Sequence, residues 1–220
     1  MEENVAASAF ACNLQVKYFH FESMSSVDVS SEPSLAPPGA GLPRPELWIA
    51  RWLFGRACRR TSAEEARRLM AVEQKWILKR VGAVPASQLG ERVLIPRPRG
   101  LEDSSRYWSI LMTLEHLRIV NEAVAAVIGE LLAGEVRPRA TGTAEVKPSP
   151  AVGRDVLERF PESCERVLEA VGERESLPSD PRYAHPWFGP MGPDRWLVLV
   201  PFHLRLHRRQ IEAIAERLPS

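Results

Sequence analysis

Cysteine is scarce in this chain of 220 residues. Cys12, Cys58 and Cys164 are scattered, share no metal-ligand spacing and make no disulfide framework, so a reducing compartment, the cytoplasm, fits best. Neither sign of charge is in excess: 29 basic residues face 28 acidic ones, for a net charge of +1. That balance leaves no electrostatic footprint for nucleic acid or for an anionic membrane. No apolar run approaches the ~20 residues a bilayer-spanning helix needs. Met1 to Leu14 is somewhat apolar, but Glu2 and Glu3 stand where a signal peptide carries basic residues. No internal repeat is visible, and strand patterns are nearly absent. An apolar content of 45% and a charged content of 26% are ordinary for a soluble globular protein. The length suits one domain with a single sizeable core.

What the chain does hold is helical periodicity, and it begins at Pro43. Before that, residues 10–21 carry aromatics and fit a short strand, while residues 23–41 are rich in Ser, Pro, Gly and Ala and read as disordered. Met24 opens this part, which suggests a start there and a spurious extension over the first 23 residues. The expected division is therefore a disordered or weakly ordered extension over 1–42 and a helical bundle over 43–220. In "PRPELWIARWLFGRACRR", Leu47, Trp48, Trp52 and Leu53 share a side. The next helix is capped by Thr61 or Ser62, with Glu64 and Glu65 in its first turn, where the helix dipole favours acids. Leu69, Val72, Trp76, Ile77 and Leu78 are its expected apolar face. Val93 to Ile95 is briefly extended. The longest pattern starts at Ser104 or Ser105 and ends at Gly134 as a C-terminal cap. A polar loop fills 135–150. The pattern over 151–174 either kinks at Pro161 or restarts there. A loop over 175–193 with five prolines leads into a last helix from about Asp194 to Leu218. Four main helices with long connections predict an all-α, four-helix bundle.

Three of the chain's five histidines lie between His185 and Gln210. His203 and His207 are four apart on a helix, which stacks them on one face with Cβ atoms ~5–6 Å apart. The rest of their stripe, Leu199 or Val200, Gln210 or Ile211, and Ile214, reads as apolar. That face points into the bundle, and burying two imidazoles without partners is costly. Ligation of one ion answers the cost. His116, in "ILMTLEHLRIV", sits on another inward stripe with Met112, Thr113, Ile119 and Val120, and is the best third ligand. One histidine from a middle helix and two from the last meet across a bundle core, where such folds build metal sites. Three imidazoles suit zinc or nickel, with iron also compatible.

The mid-helix histidine in "TLEHLRIVNEAV", followed by "HPWFG" and the helix "RWLVLVPFHLRLHRRQ", resembles the DinB/YfiT-like superfamily, in the branch with an HP-x-FG element. The resemblance spans roughly residues 44–218. It implies a four-helix bundle with a three-histidine metal site, whose ligands correspond to His116, His203 and His207. It also implies activities such as bacillithiol- or mycothiol-dependent transfer, mycothiol-dependent isomerisation or metal-dependent hydrolysis, although a fold alone does not fix a function. Pro201 departs from the pattern. Proline inside a helix removes a backbone hydrogen bond at ~3 kcal/mol, so the helix either kinks or restarts just before His203.

Two readings of function compete. One is a metal-dependent transferase or hydrolase acting on a small molecule, with a low-molecular-weight thiol as cosubstrate in the transferase case. The other is a non-catalytic, metal-binding or stress-related bundle. Either can be a homodimer, and neither needs nucleic acid or a membrane. His185, Trp187, Phe188 and Gln210 are the pocket or rim candidates. His185 more readily fixes its loop than touches the metal. Trp187 and Phe188, in the lid-like "HPWFGPMGP", either wall the pocket or plug the end of the core. The six tryptophans read as core packing. Glu115 and Glu122 either support His116 or face solvent. Arg208 or Arg209 can meet an anionic substrate, with a surface role the simpler reading. Cys164 reads as a small core hydrophobe.

Overall fold

The computed structural model describes residues 32–136 and 142–219. The expected strand over 10–21, the start at Met24 and the first part of the expected disorder, 23–31, lie outside the described residues. The rest of that segment, 32–41, has no regular structure but is tied down: Ala36 N donates to Asp103 Oδ2 at 2.8 Å and Gly39 N to Glu102 Oε2 at 3.2 Å. The chain divides into two units, Met1–Glu32 and Pro33–Ser220, and all the regular structure described lies in the second.

Five α-helices are described: α1 Arg44–Cys58, α2 Ala63–Gly82, α3 Ile110–Leu132, α4 Val156–Val171 and α5 Pro193–Ala215. The fold is an all-α, four-helix bundle in which α3 packs along α4 and α5, and α2 along α5 and more lightly along α4. α1 precedes the bundle and lies against α5. Two short antiparallel ribbons complete it. β1 (Val93–Leu94) pairs with β2 (Tyr107–Trp108) in the register Val93↔Trp108. β3 (Tyr183–His185) pairs with β4 (Gly189–Met191), closing at His185↔Gly189. No described helix is long and apolar enough to cross a membrane.

The helix ends follow from their capping residues. Ser62 Oγ accepts from Glu65 N at 3.1 Å and starts α2. At the end of α3, Gly134 takes φ +83°, with Glu135 N donating to Glu130 O and Gly134 N to Leu131 O. These two bonds close the last turn, and a side chain at that φ would be strained. The start of α3 differs from the sequence expectation. Ser104 and Ser105 lie in a 3-10 turn, and Tyr107–Trp108 is drawn into the ribbon with β1. The helix therefore starts five or six residues later, at Ile110, where Ser109 Oγ accepts from Met112 N at 3.1 Å. Neither proline restarts a helix: α4 runs unbroken through Pro161 and α5 through Pro201.

The face of α2 is also corrected. Ala66, Met70, Glu73, Ile77 and Val81 are buried, while Val72, Trp76 and Leu78 are exposed. What turns the helix this way is a carboxylate. Glu73 is 2% exposed and faces α5, with Oε1 2.7 Å from Arg205 Nε and Oε2 3.3 Å from Arg208 Nε. A second correction concerns the tryptophans. Trp108 and Trp196 are buried and Trp187 is half-buried, but Trp48, Trp52 and Trp76 are 69%, 54% and 50% exposed. α1 offers the bundle one narrow face and buries only Phe54.

These exposures predict unequal stability losses. Trp196→Ala should cost about 3–5 kcal/mol, the usual range for a truncated buried aromatic. Trp48→Ala should stay within about 0.5 kcal/mol, as surface changes do. Denaturant unfolding of both variants checks the ranking, and equal losses contradict the placement of α1.

Candidate metal centre

α3 and α5 pack side by side, so a residue in the second turn of α3 meets the middle of α5. His116 comes from α3, and His203 and His207 from one face of α5. Pro201, two residues before His203, deprives the Leu197 carbonyl of its usual amide partner without breaking the helix. One ring nitrogen from each histidine lies within 4.8 Å of the others. His116 Nε2 is 3.2 Å from His203 Nε2. Ring centroids stand 5.1 Å apart for His116 and His203, 4.6 Å for His116 and His207, and 4.5 Å for His203 and His207. Trp108 lies parallel to His207, with centroids 6.3 Å apart, and leans on His116 at 5.3 Å.

Hydrogen bonds outside the triangle decide which nitrogens point inward. His116 Nδ1 is 2.8 Å from the Val146 carbonyl. A carbonyl only accepts, so Nδ1 carries the proton and Nε2 keeps its lone pair. His207 Nδ1 is 2.7 Å from Gln210 Oε1, and Gln210 Nε2 donates to the Ser105 carbonyl at 2.8 Å. The second bond fixes the amide's orientation, so His207 Nδ1 must also donate. His203 Nδ1 is buried with no partner. Two of the three rings are thus held with Nε2 free toward a common centre, the pattern that outer partners impose on ligating histidines.

Burial is the main force on their protonation. It lowers His116 from 6.5 to about 4, with nearby Lys147 pushing the same way against the pull of the Val146 bond. Burial, then the neighbouring His116 and His185, hold His203 well below 6.5. Burial, then His203 and His116, do the same for His207. All three are neutral near pH 7, the state a metal requires of its imidazoles.

The triangle opens on a cleft of about 1120 Å³. Ile49 and Leu53 of α1, Val120 and Val124 of α3, Phe202 of α5 and Phe188 give it apolar walls. Lys147 also lines it. Its Nζ donates to Ser104 Oγ at 2.9 Å and Ser105 Oγ at 3.0 Å, pairs with Glu102 Oε2 at 3.0 Å, and sits 5.2 Å from the Trp108 ring centroid. Burial lowers its pKa, against the pull of Glu102. Glu102 also accepts from Thr143 Oγ1 at 2.7 Å and Gly39 N at 3.2 Å. The sequence reading missed both residues. They come from loops with no periodicity, and nothing in their spacing pairs them.

The remaining candidates separate clearly. His185 lines the cleft but is not one of the three converging rings. Its Nδ1 accepts from Trp187 N at 3.1 Å and Phe188 N at 3.3 Å, and so fixes the hairpin turn. Trp187 also lines the cleft, and its carbonyl accepts from Arg51 Nε at 2.6 Å. Phe188 does two jobs: it lines the cleft and stacks on Phe54 at 4.3 Å, joining the hairpin to α1. Gln210 is not at the rim. It is fully buried, turned inward by its bonds to His207 and the Ser105 carbonyl. Glu115 and Glu122 do not support His116, since both carboxylates bind Arg118. Arg208 pairs with Glu73 and Glu212, whereas Arg209 is exposed and lines the cleft. Cys164 is buried against Asn121, and burial raises its thiol to about 12, which makes it unreactive.

An unfolded histidine titrates near 6.5. As pH falls below that value, the unfolded chain takes up protons that these folded histidines refuse. The metal-free protein should therefore lose stability from about pH 6.5 down toward pH 4, by up to ~1.4 kcal/mol per pH unit for each such histidine. Denaturation midpoints at pH 7.5, 6 and 5 check this. A midpoint constant over that range contradicts the buried, neutral state.

Residues 96–211 match the family model described as the DinB superfamily. No curated protein matches the chain. A solved structure described as the crystal structure of TT2238, a four-helix bundle protein, is similar, at 19% identity over 69% of this chain and 99% of that chain, with a TM-score of 0.49. The stretch matched by the family model is more than half of the chain and contains His116, His203 and His207. On that match, the chain belongs to the DinB superfamily.

Proposed function

We propose that the chain is a metal-dependent enzyme of small-molecule chemistry, with a divalent ion held by His116, His203 and His207. The observation that carries this is the pair of outward Nδ1–H bonds, to Val146 and Gln210, which leave neutral Nε2 atoms facing one point. Largely buried, uncharged imidazoles aimed at one another at the edge of a cleft make poor packing and a good ligand set. The donor set suits zinc or nickel, and iron is compatible. When bound, such an ion supplies Lewis acidity that lowers the pKa of a water or thiol set against it.

The protein's own groups favour a thiol over a water. A hydrolase of this design needs a free base beside the ion. The cleft carboxylates Glu46 and Glu102 are both engaged, with Arg97 and with Lys147. A low-molecular-weight thiol needs less help, because its pKa starts much nearer neutrality. The apolar walls from α1, α3 and Phe188 suit a hydrophobic acceptor.

Protein purified without a histidine tag should take up one divalent ion per chain. His116→Ala, His203→Ala and His207→Ala should each abolish uptake while the helical content stays. Gln210→Ala should fold and bind about 10–100-fold more weakly, the usual cost of losing a ligand's outer partner. In excess metal at about 100 times Kd, the wild type should gain about 2.7 kcal/mol. No uptake at any pH near neutral sinks the reading. Stoichiometric metal, without turnover of any thiol and electrophile pair, leaves a metal-binding bundle and removes the enzyme.

A further inference from the structure

His185 is the one cleft imidazole outside the triangle, and its hydrogen bonds settle its tautomer. Trp187 N and Phe188 N both point at Nδ1, from 3.1 Å and 3.3 Å. Backbone amides only donate, so Nδ1 is an acceptor and bears no proton. Burial lowers the group from 6.5 to about 4, so the ring is neutral near pH 7. A neutral imidazole with a bare Nδ1 must carry its proton on Nε2. That Nε2–H has no partner among the described residues, yet it is not among the fully buried atoms left unsatisfied. The ring lines the cleft, close enough to His203 for a charge on one to oppose a charge on the other. It is also held rigidly, stacked on Phe188 at 4.8 Å and leaning on Trp196 at 5.5 Å. The result is a neutral, oriented donor on the wall of the cleft, with no task inside the fold.

We propose that His185 Nε2–H donates to a carboxylate oxygen of the substrate bound over the three histidines. An acceptor is required because the free capacity of this ring is one donated hydrogen. An anionic one is favoured because Arg99 and Arg209, both exposed, line the same cleft. The inference rests on the metal-dependent reading of the cleft. It gives the HPWFG turn a purpose: the Trp187 and Phe188 amides hold the ring so that its other nitrogen faces the ligand. His185 is then a substrate-binding residue and not a fourth metal ligand.

The test uses the full chain loaded with zinc and titrated with acetate as the probe. Imidazole nitrogen resonances should show His185 as the Nε2–H tautomer, and acetate should shift its Nε2 signal. Two variants separate the roles of the two nitrogens. In His185→Asn, the side-chain oxygen can still accept from the turn amides, but its nitrogen falls short of the Nε2 position. In His185→Gln, the amide nitrogen reaches that position. Zinc content should be unchanged in both. Acetate binding should weaken about tenfold in His185→Asn, as expected for a lost bond to a charged acceptor, and largely return in His185→Gln. An Nδ1–H tautomer, no acetate binding by the zinc-loaded wild type, equal acetate affinity in His185→Asn, or equal losses in both variants overturns the inference. Loss of zinc from either variant does so too, since His185 would then belong to the metal site. Failure of the wild type to take up zinc is a different result, and it overturns the metal reading on which the inference stands.

Discussion

The bond from His207 Nδ1 to Gln210, relayed to the Ser105 carbonyl, is the interaction on which the site depends. It does three things together. It satisfies a buried donor, sets the tautomer of a ring on α5, and ties that helix to the segment leading into α3. Without it the ring could turn, and the lone pair that faces His116 and His203 would be lost to the packing. An unpaired buried polar group is costly, and for His207 the bond that removes the cost also orients the ring.

The ligand helix is held from its other side by charge. Glu73 reaches from α2 between Arg205 and Arg208, which flank His207 along α5. A buried ion pair is weak evidence for stability, because desolvation offsets much of the attraction. Its effect here is rotational. With the carboxylate engaged on one side and Gln210 on the other, α5 has one setting about its axis. That setting turns His203 and His207 toward α3 and leaves Arg209 at the cleft.

Much of this was legible in the sequence. The spacing of His203 and His207, joined to an inward His116, identified the three rings, because helical geometry converts a gap of four residues into one face. Capping chemistry narrowed the start of α2 to Thr61 or Ser62, of which Ser62 caps it, and placed the end of α3 at Gly134. The failures have physical causes. Apolarity alone put Trp76 and Leu78 on the inner face of α2, because a composition rule gives no credit to a carboxylate with two arginines waiting for it. The start of α3 was misplaced because a two-residue ribbon competes with the helix for Tyr107 and Trp108, and only the distant Val93–Leu94 reveals the competitor. Glu102 and Lys147 were invisible because their pairing joins two loops. Gln210 was noticed, but its role depends on a backbone carbonyl over a hundred positions away.

The two outer partners of the site differ in kind. His116 is steadied by the main chain at Val146, and His207 by a side chain at Gln210. A carbonyl belongs to every amino acid, so position 146 can drift among relatives without loss, provided the 3-10 turn over Thr143–Val146 keeps its path. Position 210 has no such freedom, because its residue must accept from one ring and donate to one carbonyl at the same time. Mutational tolerance around the two histidines is therefore lopsided: one half of the site is written in backbone shape, where sequence searches see little, and the other in a single amide.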